Sequence, residues 1–320
     1  MYKKTTNMRK VIGIGETVLD IIFKDNRPVE AVPGGSTFNS MVSLSRAGVR
    51  TVFVSETGND RVGGLIRDFL RQNGVDDSYM HATQDARSPI SLAFLDSENN
   101  ADYVFYREKG KDRYDFSLPE IDADDIVVFG SYYAVNPDTR PQVRQLLETA
   151  RRKGAIVYYD VNFRPSHRGD VMRVTPNLIE NLEFADIVRG SRDDFSVIYN
   201  KEDADRVYAS EISFYCKRMV FTDGPQPVRI FADGGLRLQY EVAATDTVST
   251  IGAGDNFNAG LVYGLLRCGV TRAELYAGLS ADKWHEMTSH ALAFSAECCK
   301  DISNYISPEF GQRMITGQGF

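Results

Sequence analysis

The sequence predicts an α/β fold: a doubly wound, mostly parallel sheet with helices on both faces and a small extra sheet. Three observations predict it. Buried-strand runs and helix-period segments alternate along most of the 320 residues. The strands end in small or polar residues, where open α/β sheets bind ligands. Two β-patterned stretches break the alternation and predict the second sheet.

Val11-Ile12-Gly13-Ile14-Gly15 starts as a buried strand. It lacks the third glycine of a dinucleotide fingerprint, because Val18 stands there. Asp20 follows between apolar neighbours, either as the polar phase of an exposed strand or as an acceptor for a diol. Gly34-Gly35 then opens a helix with Phe38, Met41, Val42 and Leu44 on its apolar side. Asn39 lies in its first turn, where such residues commonly bond nearby backbone. Thr51 to Glu56 reads as a strand, and Val62 to Asn73 as a helix ended by Gly74. Ile90 to Asp96 and Asp102 to Arg107 flank Ser97-Glu98-Asn99-Asn100-Ala101 as a hairpin. With the extended stretch Ile21 to Val32, they predict a small sheet built from about 18–33 and 90–107. Beside a crevice, such a sheet is a lid that excludes water on closure.

Strands resume at Ile126 to Phe129, Ala155 to Asp160, Asp186 to Val188 and Met219 to Thr222, with helices over Thr139 to Arg152 and Asn177 to Phe184. Their ends carry Gly130-Ser131, Asp160 with Asn162 and Arg164, Gly190-Ser191, and Thr222-Asp223-Gly224. Val228 to Ala232 and Leu236 to Tyr240 form a further hairpin through Asp233-Gly234-Gly235. Thr271 to Lys300 reads as one long helical region that buries Trp284. There is no P-loop lysine motif, no protein-kinase Asp-Phe-Gly and no zinc-binding histidine pair; His285 and His290 are five apart and read as surface or core.

The chain is organised around Gly252-Ala253-Gly254-Asp255, which opens a helix over Ala253 to Cys268 that stops at Gly269. Phe257, Leu261, Val262 and Leu265 recur there at helical spacing. Two glycines before the first turn allow close backbone approach, and the free N–H groups of that turn make an anion site. Asp255 is either a dipole partner or the group that takes a proton from an attacking hydroxyl in phosphoryl transfer. As an ionised carboxylate it is a weak base, which suffices where the transition state is loose.

Composition narrows the classes. The 42% hydrophobic content predicts a sizeable core, and a net charge of −7 argues against a general role at nucleic acid or a membrane surface. An acidic protein that binds phosphates must concentrate positive charge locally or recruit a metal. Cys216, Cys268, Cys298 and Cys299 show neither zinc spacing nor a disulfide framework. The polar N-terminus does not read as a signal peptide, no run reaches membrane-span length, and a cytoplasmic location is expected.

In order and spacing these parts resemble the ribokinase-like (PfkB) carbohydrate kinases, over roughly residues 10–310. Gly34-Gly35-Ser36-Thr37-Phe38-Asn39 followed by Gly48 and Gly58 is similar to the family's N-terminal signature, and Thr250-Ile251-Gly252-Ala253-Gly254-Asp255-Asn256-Phe257 to its C-terminal one. The resemblance implies one kinase domain over residues 1–320 with a β lid, ATP as donor and Mg2+ as the accompanying cation. It implies Asp255 as base, Gly252, Ala253 and Gly254 as anion hole, and Asp20, Gly34, Gly35 and Asn39 as sugar contacts. A carboxylate and an amide fix neighbouring hydroxyls by paired hydrogen bonds. Thr222 and Gly224 match the start of the nucleotide loop, although Pro225-Gln226-Pro227 departs from its glycine-rich continuation. Ser191-Arg192-Asp193-Asp194 stands for the family's Asn-x-x-Glu, making Ser191 and Asp194 nucleotide-side candidates and Asp194 the candidate near Mg2+. Ser249 replaces the acid that the family links to monovalent-cation binding, so little potassium activation is expected.

Asp160-Val161-Asn162-Phe163-Arg164 and Phe105-Tyr106-Arg107 are similar to segments of the fructokinase and 2-keto-3-deoxygluconate kinase branches. Asp160, Asn162, Arg164 and Arg107 are therefore further sugar-side candidates. The arginines read equally as structural ion pairs or as a fork for a sugar carboxylate. The expected activity is a fructokinase-like sugar kinase, with a sugar-acid kinase second, a nucleoside kinase third, and a sugar- or nucleotide-binding relative without catalysis as the other class. A homodimer through the lid is expected, because small sheets are poor at standing alone.

Overall fold

The computed structural model describes residues 9–96, 101–108, 117–245 and 247–318. Residues 1–8, the expected hairpin connection at 97–100, and Asp246 lie outside the described residues. In chain order come β1 (Val11–Ile14), β2 (Val18–Lys24), β3 (Arg27–Gly34), α1 (Ser36–Arg46), β4 (Thr51–Gly58), α2 (Arg61–Gln72), β5 (Asp76–Thr83), β6 (Ile90–Leu95) and β7 (Ala101–Tyr106). There follow β8 (Ile126–Gly130), α3 (Arg140–Lys153), β9 (Ile156–Asp160), α4 (Val171–Phe184), β10 (Ile187–Ser191), α5 (Arg192–Tyr199), α6 (Ala204–Val207), β11 (Met219–Asp223), β12 (Gln226–Ala232) and β13 (Leu236–Tyr240). The remainder is helical: α7 (Ala253–Arg267), α8 (Arg272–Ala277), α9 (Ala281–Cys298) and α10 (Pro308–Thr316).

Nine strands form one sheet in the order β13-β12-β11-β10-β9-β8-β1-β4-β5. Pairing is parallel from β11 through β5, and β12 and β13 add an antiparallel edge. From β1 the chain runs outward through β4 and β5, then returns to β8 on the other side. That reversal is a topological switch point, and the carboxyl ends of β1 and β8 are where open α/β sheets bind their ligands in a crevice.

Both faces of the sheet are covered. Phe38, Met41, Leu261, Trp284 and Phe294 from α1, α7 and α9 are fully buried on one, and Val143, Leu147, Val174 and Phe195 from α3, α4 and α5 on the other. Each such side chain contributes about 1.5–3 kcal/mol of burial. α7 seats against α9 through Gly260 and Gly264, where a Cβ would stand 2.4 Å from His290 O and 2.6 Å from Met287 Cα. This close approach fixes the direction of α7, and with it the position of its first turn.

Three features differ from the sequence expectation. The helix expected from Asn177 begins at Val171 and runs through Pro176. The missing N–H would have bonded Met172 O, and Met172 is largely exposed, so the proline costs little there. The single helical region expected over Thr271 to Lys300 splits into α8 and α9, because Gly278 turns the chain at φ +93° and Ser280 caps the second helix through Lys283 N. The edge strand β5 has no counterpart in the expectation, since Asp76-Asp77-Ser78 hides its pattern.

The small sheet forms where expected, in the order β3-β2-β6-β7. Register places Asp20, Ser91 and Phe105 in one row, flanked on the same face by Ile22, Ala93 and Tyr103. Asp20, Ile22, Ser91 and Ala93 are buried, so this face meets the large sheet's helices and crevice. The opposite face carries Ile21, Leu92, Val104, Phe23, Phe94 and Tyr106, none of them fully covered.

Candidate functional site

Two helix N-termini converge on the crevice. α7 is entered through Gly252, which adopts φ +75° and makes no side-chain cap, so no side chain lies across the N–H groups of the first turn. Of the three expected anion-hole donors, Ala253 N is engaged, donating to Thr250 O at 3.2 Å. A Cβ at Gly252 would also stand 2.9 Å from Asn304 O. Asp255 is buried in that turn and does not cap its own helix. Its Oδ1 accepts from Ser36 Oγ at 2.8 Å and its Oδ2 from Asn39 Nδ2 at 2.7 Å. Ser40 Oγ donates to Asp255 O at 2.7 Å, and Ser43 Oγ to Asn256 Oδ1 at 2.6 Å. Ser36, Asn39, Ser40 and Ser43 thus form a polar stripe on α1 that faces α7, where such a stripe would ordinarily face water.

Burial pushes the Asp255 carboxyl up to about 6; Asp160 raises it further, while the Asn39 and Ser36 hydrogen bonds restrain the rise. The group remains mainly ionised at neutral pH, as expected from sequence, yet accepts a proton more readily than a surface carboxylate.

Asp20 reaches the same crevice from β2. Its Oδ1 accepts a short hydrogen bond from Ser91 Oγ. Its Oδ2 lies against Gly34, 2.6 Å from where a Cβ would stand. Burial first, then the charges of Glu16 and Asp255, raise this carboxyl to about 6 as well. Among the described residues, the buried amide oxygens Asn39 Oδ1 and Asn304 Oδ1 have no hydrogen-bond partner. Two orphaned acceptors beside two buried carboxylates want donors, and neighbouring hydroxyls of a polyol supply them. Gly35 links this group to α1 at φ +131°.

A second set lies at the ends of β9, β10 and β11. Asp160 is buried and accepts from Arg189 Nη1 at 3.0 Å, and Ser36 Oγ lies 3.4 Å from its other oxygen. Burial holds the Asp160 carboxyl above the usual range, against the pull of Arg189. Arg189 Nη2 donates to Thr222 Oγ1 at 2.8 Å. Asn162 is buried at φ +34°, Arg164 is exposed, and Gly224 turns the β11–β12 hairpin at φ +52°. Arg164 makes no guanidinium ion pair or hydrogen bond among the described residues, and its charge acts on Asp255. Arg107 instead stands 3.6 Å from both Glu16 and Glu56.

Asp194 completes a capping box on α5. Its Oδ2 accepts from Ser191 N and Oγ at 2.7 Å each, and its Oδ1 from Phe163 N at 2.8 Å. Both oxygens are therefore spent on backbone geometry, and the described residues hold no group of three or more His, Cys, Asp or Glu side chains able to cage a metal. The donor set fits a cation that arrives on donor phosphates better than one held by the protein.

The structure brings Asp255, Asn39, Asp20, Gly34, Gly35 and the Gly252–Gly254 turn to one crevice, with Asp160, Thr222 and Ser191 along its continuation. Ser36, Ser91, Asn304 and Arg189 join them without having been candidates. The spacing of Ser36, Asn39, Ser40 and Ser43 was a visible signal for the first of these; Arg189, inside a short buried strand, gave none.

Residues 8–299 match the pfkB family of carbohydrate kinases. The chain is 26% identical over 278 residues to the 5-dehydro-2-deoxygluconokinase of Geobacillus thermodenitrificans, covering 80% of each chain. It is 25% identical over 274 residues to probable fructokinase-3 of Arabidopsis thaliana, covering 82% of this chain and 79% of that one. The crystal structure of aminoimidazole riboside kinase from Salmonella enterica, complexed with aminoimidazole riboside and an ATP analog, superposes with a TM-score of 0.82 at 22% identity, covering 96% of this chain and 99% of that one.

Proposed function

The chain belongs to the pfkB family of carbohydrate kinases, phosphotransferases that use ATP and act on sugars, and we propose that its acceptor is a small sugar, fructose foremost. The observation that carries this reading is the pairing of Asp255 and Asp20, both raised to about 6, with the unpartnered oxygens of Asn39 and Asn304 beside them. Asp20 and the amides take the sugar's hydroxyl protons as hydrogen bonds and hold one hydroxyl at Asp255. Asp255 accepts that proton as the oxygen attacks the terminal phosphorus of ATP and the bond to the bridging oxygen breaks, releasing ADP. The N–H groups of Gly252 and Gly254 face the charge on the moving phosphoryl group, while that of Ala253 is held by Thr250 O at 3.2 Å. Thr222, Ser191 and Gly224 lie on the nucleotide side. The ATP phosphates, rather than side chains of this site, would hold Mg2+, which would supply charge neutralisation there, and Asp194 orders the loop behind.

A second acceptor class, a keto sugar acid, is favoured by one feature: the Arg164 guanidinium is exposed, lacks an ion pair among the described residues and acts on Asp255. Such a fork suits a carboxylate. The name of the Geobacillus relative points the same way, and that of the Arabidopsis relative toward fructose. A panel of hexoses, pentoses, ribosides and keto sugar acids with ATP and magnesium decides between them. Fructose is expected to give the highest kcat/KM; no turnover of fructose beside good turnover of a keto acid would reverse the order. Run in potassium and in sodium chloride, the same panel is expected to give equal initial rates. Ser249 is buried and its Oγ accepts from Ile251 N at 3.1 Å, so it offers no carboxylate to a monovalent cation. A marked potassium requirement would contradict this.

The small sheet is proposed to act as the lid of one kinase domain. Its inner face carries Asp20 to the sugar, and its outer face of Ile21, Leu92, Val104 and Tyr106 is apolar enough to pair with a second copy. Light scattering at micromolar concentration is expected to return twice the chain mass; a monomer would remove the dimer from the proposal. A reducing, cytoplasmic setting accords with four free cysteines, and no helix among the described residues is long and apolar enough to cross a membrane.

A further inference from the structure

Charge at the crevice is lopsided. Asp160, Asp194 and Asp255 are buried there, and a donor nucleotide brings more negative charge. Among the described residues, Arg189 is the buried cation set against them, at 7% exposure. An ion pair with Asp160 alone would satisfy electrostatics, but Arg189 does more. One arm, Nη1, holds Asp160 at 3.0 Å, and the other, Nη2, holds Thr222 Oγ1 at 2.8 Å. A Cβ on Gly254 would stand 3.0 Å from Nη2 and 3.2 Å from Nη1, so the guanidinium lies directly against the middle of the anion turn. Phe257 closes the far side, with its ring centroid 5.9 Å from Cζ.

Three parts of the site therefore meet on one side chain. Asp160 leads through Ser36 to Asp255, Thr222 begins the nucleotide loop, and Gly254 belongs to the turn that faces the phosphoryl group. The Asp160–Arg189 pair forms a fixed dipole whose positive end abuts Gly254. In a site shielded from water such a charge acts strongly on a nearby phosphate and needs no rearrangement during reaction.

We infer that Arg189 is a positioning residue for phosphoryl transfer: it locks Thr222 and Gly254 together and sets a permanent positive charge behind the anion turn, favouring a donor's terminal phosphate. This rests on the kinase reading of the same site. The charge discriminates ATP from ADP, because only ATP extends a phosphate to the turn. The two-armed clamp sets the rate, because both strand ends must keep their spacing.

The test uses Arg189→Met and Arg189→Lys in the full chain, with ATP and ADP binding by titration calorimetry, kcat on the best sugar of the panel, and Tm. For Arg189→Met, ATP affinity is expected to fall about tenfold and ADP affinity less than about threefold, with kcat down about 10²-fold. Arg189→Lys keeps the charge but not both arms, so the ATP preference is expected to survive while kcat falls about tenfold. Equal losses for ATP and ADP, or kcat within about threefold of the parent in either variant, would overturn the inference. Should Arg189→Met not fold, the lysine variant decides alone: parental kcat, or a lost ATP preference, sinks it. Asp255→Asn run alongside separates the two levels. If that variant stays active, the kinase reading of the site fails; if it is dead while the Arg189 variants are normal, only this inference fails.

Discussion

Asp255→Asn is expected to lower kcat by about 10³-fold while leaving sugar and ATP binding within a few fold of the parent. Asparagine keeps the shape and both contacts, with its oxygen accepting from Asn39 Nδ2 and its amide donating to Ser36 Oγ, the atoms now bonded to the carboxylate. What it loses is the capacity to take a proton. In the parent, activity needs the ionised carboxylate, so kcat is expected to fall as pH drops through about 6, the value to which burial raises the group. The variant's residual rate lacks that acid limb. Stability moves the other way. The folded value lies above the ordinary 3.8, so the group's contribution to stability is fully present below about 3.8 and lost as pH rises through about 6. At neutral pH the buried charge costs roughly 3 kcal/mol, the free-energy equivalent of raising the group from 3.8 to about 6. Asp255→Asn is thus expected to melt no lower than the parent at pH 7.5, and to lose that advantage near pH 4. Kinetics from pH 5 to 8 with melting curves at both ends check all three signs; a variant that keeps turnover, or that melts well below the parent at pH 7.5, contradicts the account. A binding relative without catalysis would show the stability shift and no rate to lose.

The parts of this molecule that were legible in its sequence are those whose local pattern agrees with their tertiary use. β1, β4, β8 and β9 are continuous apolar runs because both faces of the large sheet are covered, and their polar ends mark the crevice. Gly252, Gly254 and Asp255 announce an anion turn with an acid beside it, because such a turn needs small residues wherever it forms. The hidden features are those whose surroundings invert the usual meaning of a residue. Ser36, Asn39, Ser40 and Ser43 look like a solvated helix face, yet they are bonded to α7. Arg189 stands in a short strand whose first four residues are buried, where nothing local tells that Asp160 and Thr222 flank it on neighbouring strands. Asn304 lies in no helix or strand, so no periodicity points to it. Pro176 misled by a rule that holds inside packed helices and relaxes where the carbonyl a turn earlier belongs to an exposed residue. Pairings made across strands carry no local signature, and the site is built mostly from them.

Asp20→Ala is expected to raise KM for the sugar by about 10²-fold or more while ATP binding changes little, since each charge-assisted hydrogen bond to a hydroxyl contributes about 1.5–3 kcal/mol. Asp20 stands on β2, away from the nucleotide side, and Ser91 holds one of its oxygens while Gly34 lets the other lie against the backbone. Removing the carboxylate strands Ser91 and leaves the sugar's hydroxyls facing an apolar gap, so part of the loss is unpaired donors rather than missing attraction. The pH response separates this role from that of Asp255. The Asp20 carboxyl also sits at about 6, raised by burial first, and its protonated form has one acceptor fewer for the diol. Parental KM is therefore expected to climb below about pH 6, and Asp20→Ala should flatten that climb while keeping the acid limb of kcat. Asp255→Asn should do the reverse. The charge of Asp255 helps to raise the Asp20 carboxyl, so Asp255→Asn should also shift the KM limb toward lower pH. A KM within about threefold of the parent in Asp20→Ala would place the diol elsewhere in the crevice, and with it the assignment of the small sheet's inner face to the sugar.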